Sequence, residues 1–273
     1  MKCILCKHDL QIFSESSFFG SFVYKCDTCN FFINDETEES MKKRLVSLYK
    51  KNYWDKAEHD SILSGYKDTD SQGKRRNWVS QYAYTKSMIN GKKILEIGVG
   101  TGQTIFWFEQ EGFDVEGIEP DGESVRLVNS ILKKGRVTES TIEDFNTKKT
   151  YDVIWMSHVL EHIINPINFL KKIQENLKTN GIFFIEVPNC ENSKMRNVSI
   201  QKTPHVLHFT VKSLSKMVRL ADYEIIKCDT FRPATKIEGL KQKIFKNSFE
   251  FYPRIQCASD KGKDLRIVLR KRK

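Results

Sequence analysis

The sequence predicts an α/β protein: a mostly parallel sheet with helices on both faces, preceded by a small cysteine-held ribbon. Three observations carry that prediction. Between Lys93 and Val187, short apolar runs alternate with amphipathic stretches, the rhythm of βαβ units. The first of these runs, Ile94-Leu95-Glu96-Ile97, ends in Gly98-Val99-Gly100-Thr101-Gly102, and a helical pattern follows. Residues 1–33 hold Cys3-x-x-Cys6 and Cys26-x-x-Cys29, with 19 residues between the pairs.

That cysteine spacing fits two knuckles giving four thiolates, Cys3, Cys6, Cys26 and Cys29, to one tetrahedral zinc ion. The aromatics between the pairs (Phe13, Phe18, Phe19, Phe22, Tyr24) supply a core too small to hold without metal. The alternative is two unrelated pairs of buried cysteines. Such closed sites are structural, so no chemistry is assigned to this ion. Residues 34–90 read as an acidic linker, a helical pattern over Met41–Lys51, a polar stretch of loop or helix from Lys56 to Arg76, and a helix over Asn77–Ile89. The remainder, 91–273, is the main domain. Its strands are expected at Lys93–Ile97, Asp114–Ile118, Arg136–Ser140, Asp152–Ser157 and Gly181–Val187. Helices are expected at Gln103–Glu111, Ser124–Lys133, Pro166–Leu177 and Leu214–Leu220. Tyr223–Phe231 and Asp264–Arg270 read as closing strands, and the basic stretch 232–263 between them reads as an insertion.

In open α/β sheets ligands lie beyond the carboxyl ends of the strands, where the glycine turn falls. Glycines at a strand-to-helix turn admit unusual φ values and let a ligand rest on bare backbone. A second acid, Glu119, closes the next strand 17 residues after Gly102, at the place where a ribose diol is held. Alone the glycine turn is compatible with a structural loop; with Glu96 before it and Glu119 after it, it marks a nucleoside site.

The successive stretches Glu-Ile-Gly-Val-Gly-Thr-Gly, Gly-Ile-Glu-Pro-Asp, Thr-Ile-Glu-Asp-Phe and Tyr-Asp-Val-Ile-Trp-Met-Ser-His-Val-Leu-Glu-His resemble, in order, the motifs of class I S-adenosylmethionine-dependent methyltransferases. The resemblance runs from about Ile94 to Phe231 and implies a Rossmann-like, seven-stranded, mostly parallel sheet. It implies a cofactor site of Glu96, Gly98, Gly100, Gly102, Glu119, Pro120, Glu143, Asp144 and Ser157. Glu96 suits the amino end and Glu119 the ribose, while Asp144, or else Glu143, suits the adenine. The segment before the glycine strand often forms a lid in related enzymes, which makes Tyr53, Trp54 and Arg76 candidate contacts. His158-Val159-Leu160-Glu161-His162 resembles the Glu-Val-Leu-Glu-His stretch of ubiquinone-biosynthesis O-methyltransferases, which is associated with a divalent metal. That implies a second ion near His158, Glu161 and His162. Here His158 replaces Glu, and imidazole suits zinc, iron or nickel better than magnesium. If the run is helical, the three side chains share a face. Pro204-His205-Val206-Leu207-His208-Phe209-Thr210 resembles a His-x-x-His-Phe-Thr stretch of sugar and glycan methyltransferases, with Thr210 as a helix cap. By these resemblances His158, His205 and His208 face the acceptor; for His205 or His208 alone, a packing role is the alternative. No Asn-Pro-Pro-Tyr follows the fourth strand, which disfavours transfer to a nucleic-acid base amine.

Composition bounds the rest. Hydrophobic residues at 39% and charged residues at 29% describe a globular protein. No run approaches a membrane span, and no signal-like segment opens the chain, so a cytoplasmic address is expected. Residues 1–190 carry 25 Lys/Arg against 27 Asp/Glu, whereas residues 191–273 carry 20 against 8. That basic third is either a solvated surface or an approach for something anionic. The expected partner is accordingly a small anionic substrate, a sugar, nucleotide-sugar or phosphorylated intermediate of surface-glycan biosynthesis, methylated on oxygen. An RNA methyltransferase using ribbon and basic face is one alternative, and an inactive cofactor-binding protein is another.

Overall fold

The computed structural model of the chain describes residues 1–35, 39–40, 43, 47, 56–67, 69–235, 237–238 and 254–272. Its strands are β1 (Gln11–Ser16), β2 (Ser21–Cys26), β3 (Phe31–Asn34), β4 (Lys93–Ile97), β5 (Asp114–Glu119), β6 (Arg136–Glu139), β7 (Tyr151–Ser157), β8 (Leu177–Pro188), β9 (Leu207–His208), β10 (Tyr223–Pro233), β11 (Arg254–Gln256) and β12 (Asp264–Lys271). The helices are α1 (Lys56–Leu63), α2 (Thr69–Thr85), α3 (Gln103–Gln110), α4 (Gly122–Ile131), α5 (Pro166–Gln174), α6 (Ser193–Gln201) and α7 (Val211–Leu220). Among the described residues no helix is long and apolar enough to cross a membrane.

The main sheet has the order β11-β10-β12-β8-β7-β4-β5-β6. β6, β5, β4, β7 and β8 run parallel; β12, β10 and β11 complete the sheet antiparallel. The expected seven strands are all present. The eighth, β11, comes from the far end of the stretch read as an insertion and pairs Arg254 with Pro233 at the edge of the sheet.

Strand alternation sorts the core into two layers. Leu95, Ile97, Ile154, Met156, Phe183 and Ile185 face α5, α7 and the ribbon. Ile94, Val153, Trp155, Ile182 and Phe184 face α2, α3 and α4. Trp155 and Phe184 are register partners on adjacent strands, and their rings sit 4.1 Å apart. Such runs, apolar on both faces, are what a sheet covered by two helical layers requires.

The ribbon is not a separate knob. Its strands form a second sheet, β1-β2-β3-β9, whose last member belongs to the main domain. Phe32 pairs with His208 and Ile33 with Leu207, and Cys3, Leu5, Phe19, Phe31 and Ile33 share the core that holds Met156 and Phe209. The Thr210 hydroxyl donates to the Asn30 carbonyl, and the Asn30 amide donates to Glu191. Thr210 also caps α7 in a reciprocal box with Ser213.

α1 and the first half of α2 occupy the polar stretch that the sequence leaves as loop or helix. α6 is unforeseen: Ser193–Gln201 has little apolar periodicity and is started by Asn192, whose side chain accepts from the Met195 N–H. Of the helix read over Met41–Lys51, Lys43 and Ser47 are described and are helical; the other residues of that stretch, with Tyr53 and Trp54, lie outside the described residues.

Candidate active site

A cleft of about 880 Å3 is lined by the segments that follow β4, β5, β6 and β7, within the roughly 300–1,000 Å3 typical of small-molecule sites. At one end is the glycine turn. Gly98, Gly100 and Gly102 have φ of 72°, 55° and 78°, backbone that favours glycine. A Cβ on Gly98 would sit 2.4 Å from a methyl of Val159. Glu119 accepts from the Gly100 N–H at 2.7 Å and from the Asp121 N–H at 3.2 Å, so it shapes the loop while facing the cleft. An ionised carboxylate has about four acceptor positions, which leaves capacity for a diol. Glu96, 4% exposed, carries an Oε2 with no hydrogen-bond partner among the described residues. Burial, then the nearby charge of Glu119, pushes the Glu96 pKa well above the usual carboxylate range. An orphaned buried acid beside a glycine cradle fits a ligand with a cationic end and a ribose. S-adenosylmethionine has both.

Burial raises the Glu119 pKa to about 7, against the hydrogen bonds from Gly100 and Asp121. The raised value means that the proton-bound form favours the folded, empty protein, a contribution present below the ordinary carboxylate pKa and lost as pH rises through about 7. Nucleoside binding has the opposite sign, because a diol donates more strongly to the ionised carboxylate. Binding of 5′-methylthioadenosine, which lacks the amino end and so bypasses Glu96, is expected to weaken about tenfold between pH 8 and pH 6 by calorimetry. A flat profile would contradict the assignment of Glu119 to the ribose.

At the other end of the cleft the backbone turns sharply. His158 has φ of 57°, and Leu160–His162 forms a 3-10 turn, so the expected single helical face does not exist. The convergence comes from the turn. His158 Nδ1 lies 3.4 Å from Glu161 Oε1, and its Nε2 lies 3.3 Å from Glu186 Oε1. Burial works against the charged ring, but the two carboxylates outweigh it and hold the His158 pKa well above the ordinary histidine value. That direction favours the charged ring and makes His158 a poor base. Burial would raise Glu161, yet the surrounding imidazoles hold it at about 2. His205 lines the cleft with its Nε2 3.8 Å from Glu161 Oε1, and burial lowers its pKa to about 3. Glu186 continues into a buried network: Gln81 donates to its Oε1 at 2.7 Å, and Arg266 Nε donates to its Oε2.

The four ribbon cysteines offer sulfur atoms within 4.8 Å of one another. Cys6 and Cys26 are 3.5 Å apart, close to the edge of a tetrahedron with Zn–S bonds of about 2.3 Å. Lys7 and Asn30, each following the second cysteine of its pair, take left-handed φ of 65° and 48° and so turn both knuckles alike. Burial pushes Cys3 up to about 12 and Cys29 to about 11, whereas at Cys6 the hydrogen bonds from the His8 backbone and neighbouring thiols outweigh burial and bring it down to about 6. Thiols so placed do not ionise together without a cation, and the donor set fits zinc.

Of the residues expected at the cofactor, Glu96, Gly98, Gly100, Glu119, Pro120, Glu143 and Ser157 line the cleft. Gly102 caps α3 beneath it, where a Cβ would meet Val128. Asp144 is not in the lining; its carboxylate is turned back to accept from the Thr141 hydroxyl at 2.7 Å. His208 also departs from expectation. It is 1% exposed and held between Ser199 and Asn34, because β9 is needed to dock the ribbon. Arg76 is exposed and does not line the cleft; Lys74 and Glu58, paired at 3.4 Å, do. Among the described residues the basic third contributes only His205 to the lining, and six carboxylates (Glu58, Glu96, Glu119, Asp121, Glu139, Glu143) surround the cleft. Glu186 and Arg266 went unforeseen, although each is a lone charge in an apolar run, the signal that marked Glu96.

A parallel sheet ending in a glycine cradle, with an orphaned buried acid and a second acid facing the cleft, is the arrangement of an S-adenosylmethionine-dependent methyltransferase. The profile of a family described as a methyltransferase domain matches residues 74–227, more than half of the chain, and the chain belongs to that family. It is 25% identical over 175 residues to the ubiquinone biosynthesis O-methyltransferase of Rickettsia canadensis (strain McKiel), covering 62% of this chain and 74% of that one. The plantazolicin methyltransferase BpumL, solved in complex with SAH, shares the fold at TM-score 0.52 and 17% identity, covering 85% of this chain and 99% of its own. A methyltransferase of Thermotoga maritima described as a possible histamine N-methyltransferase matches at TM-score 0.54 and 18% identity, over 85% of this chain and 98% of that one.

Proposed function

We propose that the chain methylates a hydroxyl oxygen of a small molecule. The observation that carries this reading is one cleft with a nucleoside cradle at one end and, at the other, a buried carboxylate ringed by His158, His162 and His205. A hydroxyl must lose its proton to become a good nucleophile, so oxygen transfer needs proton-handling groups beside the methyl. S-adenosylmethionine supplies a methyl on a sulfonium, whose sulfur keeps the bonding pair as the new carbon–oxygen bond forms. The protein's share is alignment: Glu119 grips the ribose, Glu96 the amino end, and the glycine turn lets the nucleoside approach. Glu143, rather than Asp144, serves the adenine. His158, with one ring nitrogen turned to Glu161 and the other to Glu186, shapes the acceptor end of the cleft instead of taking a proton. The hydroxyl proton passes to solvent beside the Glu161–His162–His205 cluster. His208 positions the ribbon, and one structural zinc on Cys3, Cys6, Cys26 and Cys29 holds that ribbon together.

The Rickettsia relative's name supports the oxygen-directed reading. It lends nothing to a glycan acceptor, and the acidic lining lends nothing to an anionic one, so both are left out of the proposal. Mass spectrometry after incubation with methyl-labelled cofactor, using panels of phenols, sugars and short RNAs, is expected to find a product one methyl heavier, with the label on oxygen of a small molecule. Label on nitrogen, or on RNA alone, would refute this reading; cofactor binding without any product would favour an inactive protein.

A further inference from the structure

The cluster on the acceptor side has the form of a cation site, but not with the residues its local sequence suggests. Within the run His158 to His162 the expected ligands are His158, Glu161 and His162. In the structure the ligand atoms that come within 4.8 Å of one another belong to Glu161, His162 and His205, and His158 falls outside the group. We propose that Glu161, His162 and His205 form a divalent-cation site, with a position open to the acceptor. This deepens, and rests on, the oxygen-transfer reading above.

Three independent features support it. First, Glu161 is 1% exposed, and neither carboxylate oxygen accepts a hydrogen bond from the described residues. Its neighbours are imidazole nitrogens at 3.4 Å (His158) and 3.8 Å (His205), too distant for good hydrogen bonds. A buried carboxylate whose partners are this loosely placed keeps acceptor positions for a cation beside the one ion-pair contact to His158.

Second, both imidazoles are held from behind, as metal-binding histidines are. His162 Nδ1 lies 3.1 Å from the Pro204 carbonyl, which can only accept. Nδ1 therefore carries the proton, and Nε2 is left bare. His205 Nδ1 lies 2.9 Å from the Ser199 hydroxyl, which also lies 2.8 Å from His208 Nδ1; His208 Nε2 in turn lies 2.8 Å from Asn34 Oδ1. Donation running from His205 to Ser199 to His208 to Asn34 satisfies each of these groups in order. It leaves His205 Nε2 bare toward Glu161. The last acceptor, Asn34, belongs to the ribbon strand β3 and lies 174 residues from His208, so the cysteine ribbon buttresses the second site through His208 and Ser199.

Third, His162 and His205 line the cleft while Glu161 lies behind them, so a bound ion would have protein on one side and the acceptor's space on the other. Three protein ligands plus an open position is the catalytic rather than the structural arrangement. Two imidazoles and one carboxylate select zinc, iron, cobalt or nickel over magnesium. Such an ion would hold the acceptor oxygen in its ionised form, the hydroxyl proton passing to solvent.

Metal content of the full chain, purified after loading with Zn2+ or Co2+ and desalting, tests the site without any substrate. Two ions per chain are expected, falling to one in Glu161→Gln and in His205→Gln and staying at two in His158→Gln. With Co2+, the four-cysteine site shows thiolate charge-transfer absorption; the second equivalent should add ligand-field bands without it, and His205→Gln should abolish that increment alone. Retained binding of S-adenosylhomocysteine by each variant shows that it has folded. One ion per chain in the unsubstituted protein overturns the proposal, as does a second ion lost with His158→Gln but kept with His205→Gln, or one displaced by excess Mg2+. Product analysis on the same samples separates the two readings. A second ion bound by a protein that methylates only nitrogen sinks the oxygen reading and leaves the site standing. Oxygen methylation by a protein with one ion sinks the site alone.

Discussion

Glu119→Ala is expected to weaken S-adenosylhomocysteine binding by roughly 100-fold, about 3 kcal/mol, the loss of the two charge-assisted hydrogen bonds that the proposed grip on the ribose would supply. The cause is local. Glu119 is 3% exposed, so no water replaces it easily, and it is the acid that closes β5 against the turn. The same side chain receives the Gly100 N–H at 2.7 Å, so part of the loss is loop order rather than ligand contact. Glu119→Gln, which keeps one acceptor oxygen, should fall between the two. The empty variant should not be badly destabilised, because removing Glu119 relieves the repulsion that helps raise Glu96. Calorimetric titration and a thermal melt on the same sample check both halves. Unchanged affinity would leave the cofactor site without its main anchor.

Arg266→Met is expected to cost the protein about 3–5 kcal/mol, the usual effect of removing one partner of a buried ion pair. Arg266 is fully buried; it donates to Glu186, to the Ser80 hydroxyl at 2.9 Å and to Asn77 at 3.4 Å, and its guanidinium lies 4.0 Å from the ring centre of Phe231. Without it Glu186 keeps Gln81 and His158, which places the expectation near the lower end of that range. At roughly 2–4 °C per kcal/mol for a domain of this size, the melting temperature should drop by about 6–12 °C. The double substitution Glu186→Leu with Arg266→Met should recover most of that, since a matched apolar pair avoids the desolvation of both charges. It should not recover methyl transfer, because His158 would lose one of the two carboxylates that hold it in place. A double variant as active as the unsubstituted chain would show that this network serves stability alone.

The two charges of that pair show where reading along the chain stops. Glu186 in Ile-Phe-Phe-Ile-Glu-Val and Arg266 in Asp-Leu-Arg-Ile-Val-Leu are each visible as anomalies in apolar runs. That they meet depends on β12 pairing antiparallel to β8 in a register that sets residues 80 apart side by side. The histidines show the same limit. Spacing suggests that His158, Glu161 and His162 act together, because spacing is all a sequence offers. The left-handed turn at His158 and the 3-10 turn after it set His158 between Glu161 and Glu186, while His162 gathers with Glu161 and His205. His208 looked equivalent to His205 because the two flank one short apolar segment. The ribbon's need for a fourth strand buries one and leaves the other at the cleft.

What the sequence determined by itself is whatever depends on near neighbours. Strand and helix periodicity, the glycine turn with its two flanking acids, and the paired cysteines are all written within a few residues of where they act, because backbone conformation and alternation are local properties. Tertiary structure alone decided which side chains share a site: His205 reaching Glu161, Arg266 reaching Glu186, and the ribbon closing on β9. Those meetings follow from strand order and register, which are fixed by burying both faces of the sheet at once and so belong to no single stretch of chain.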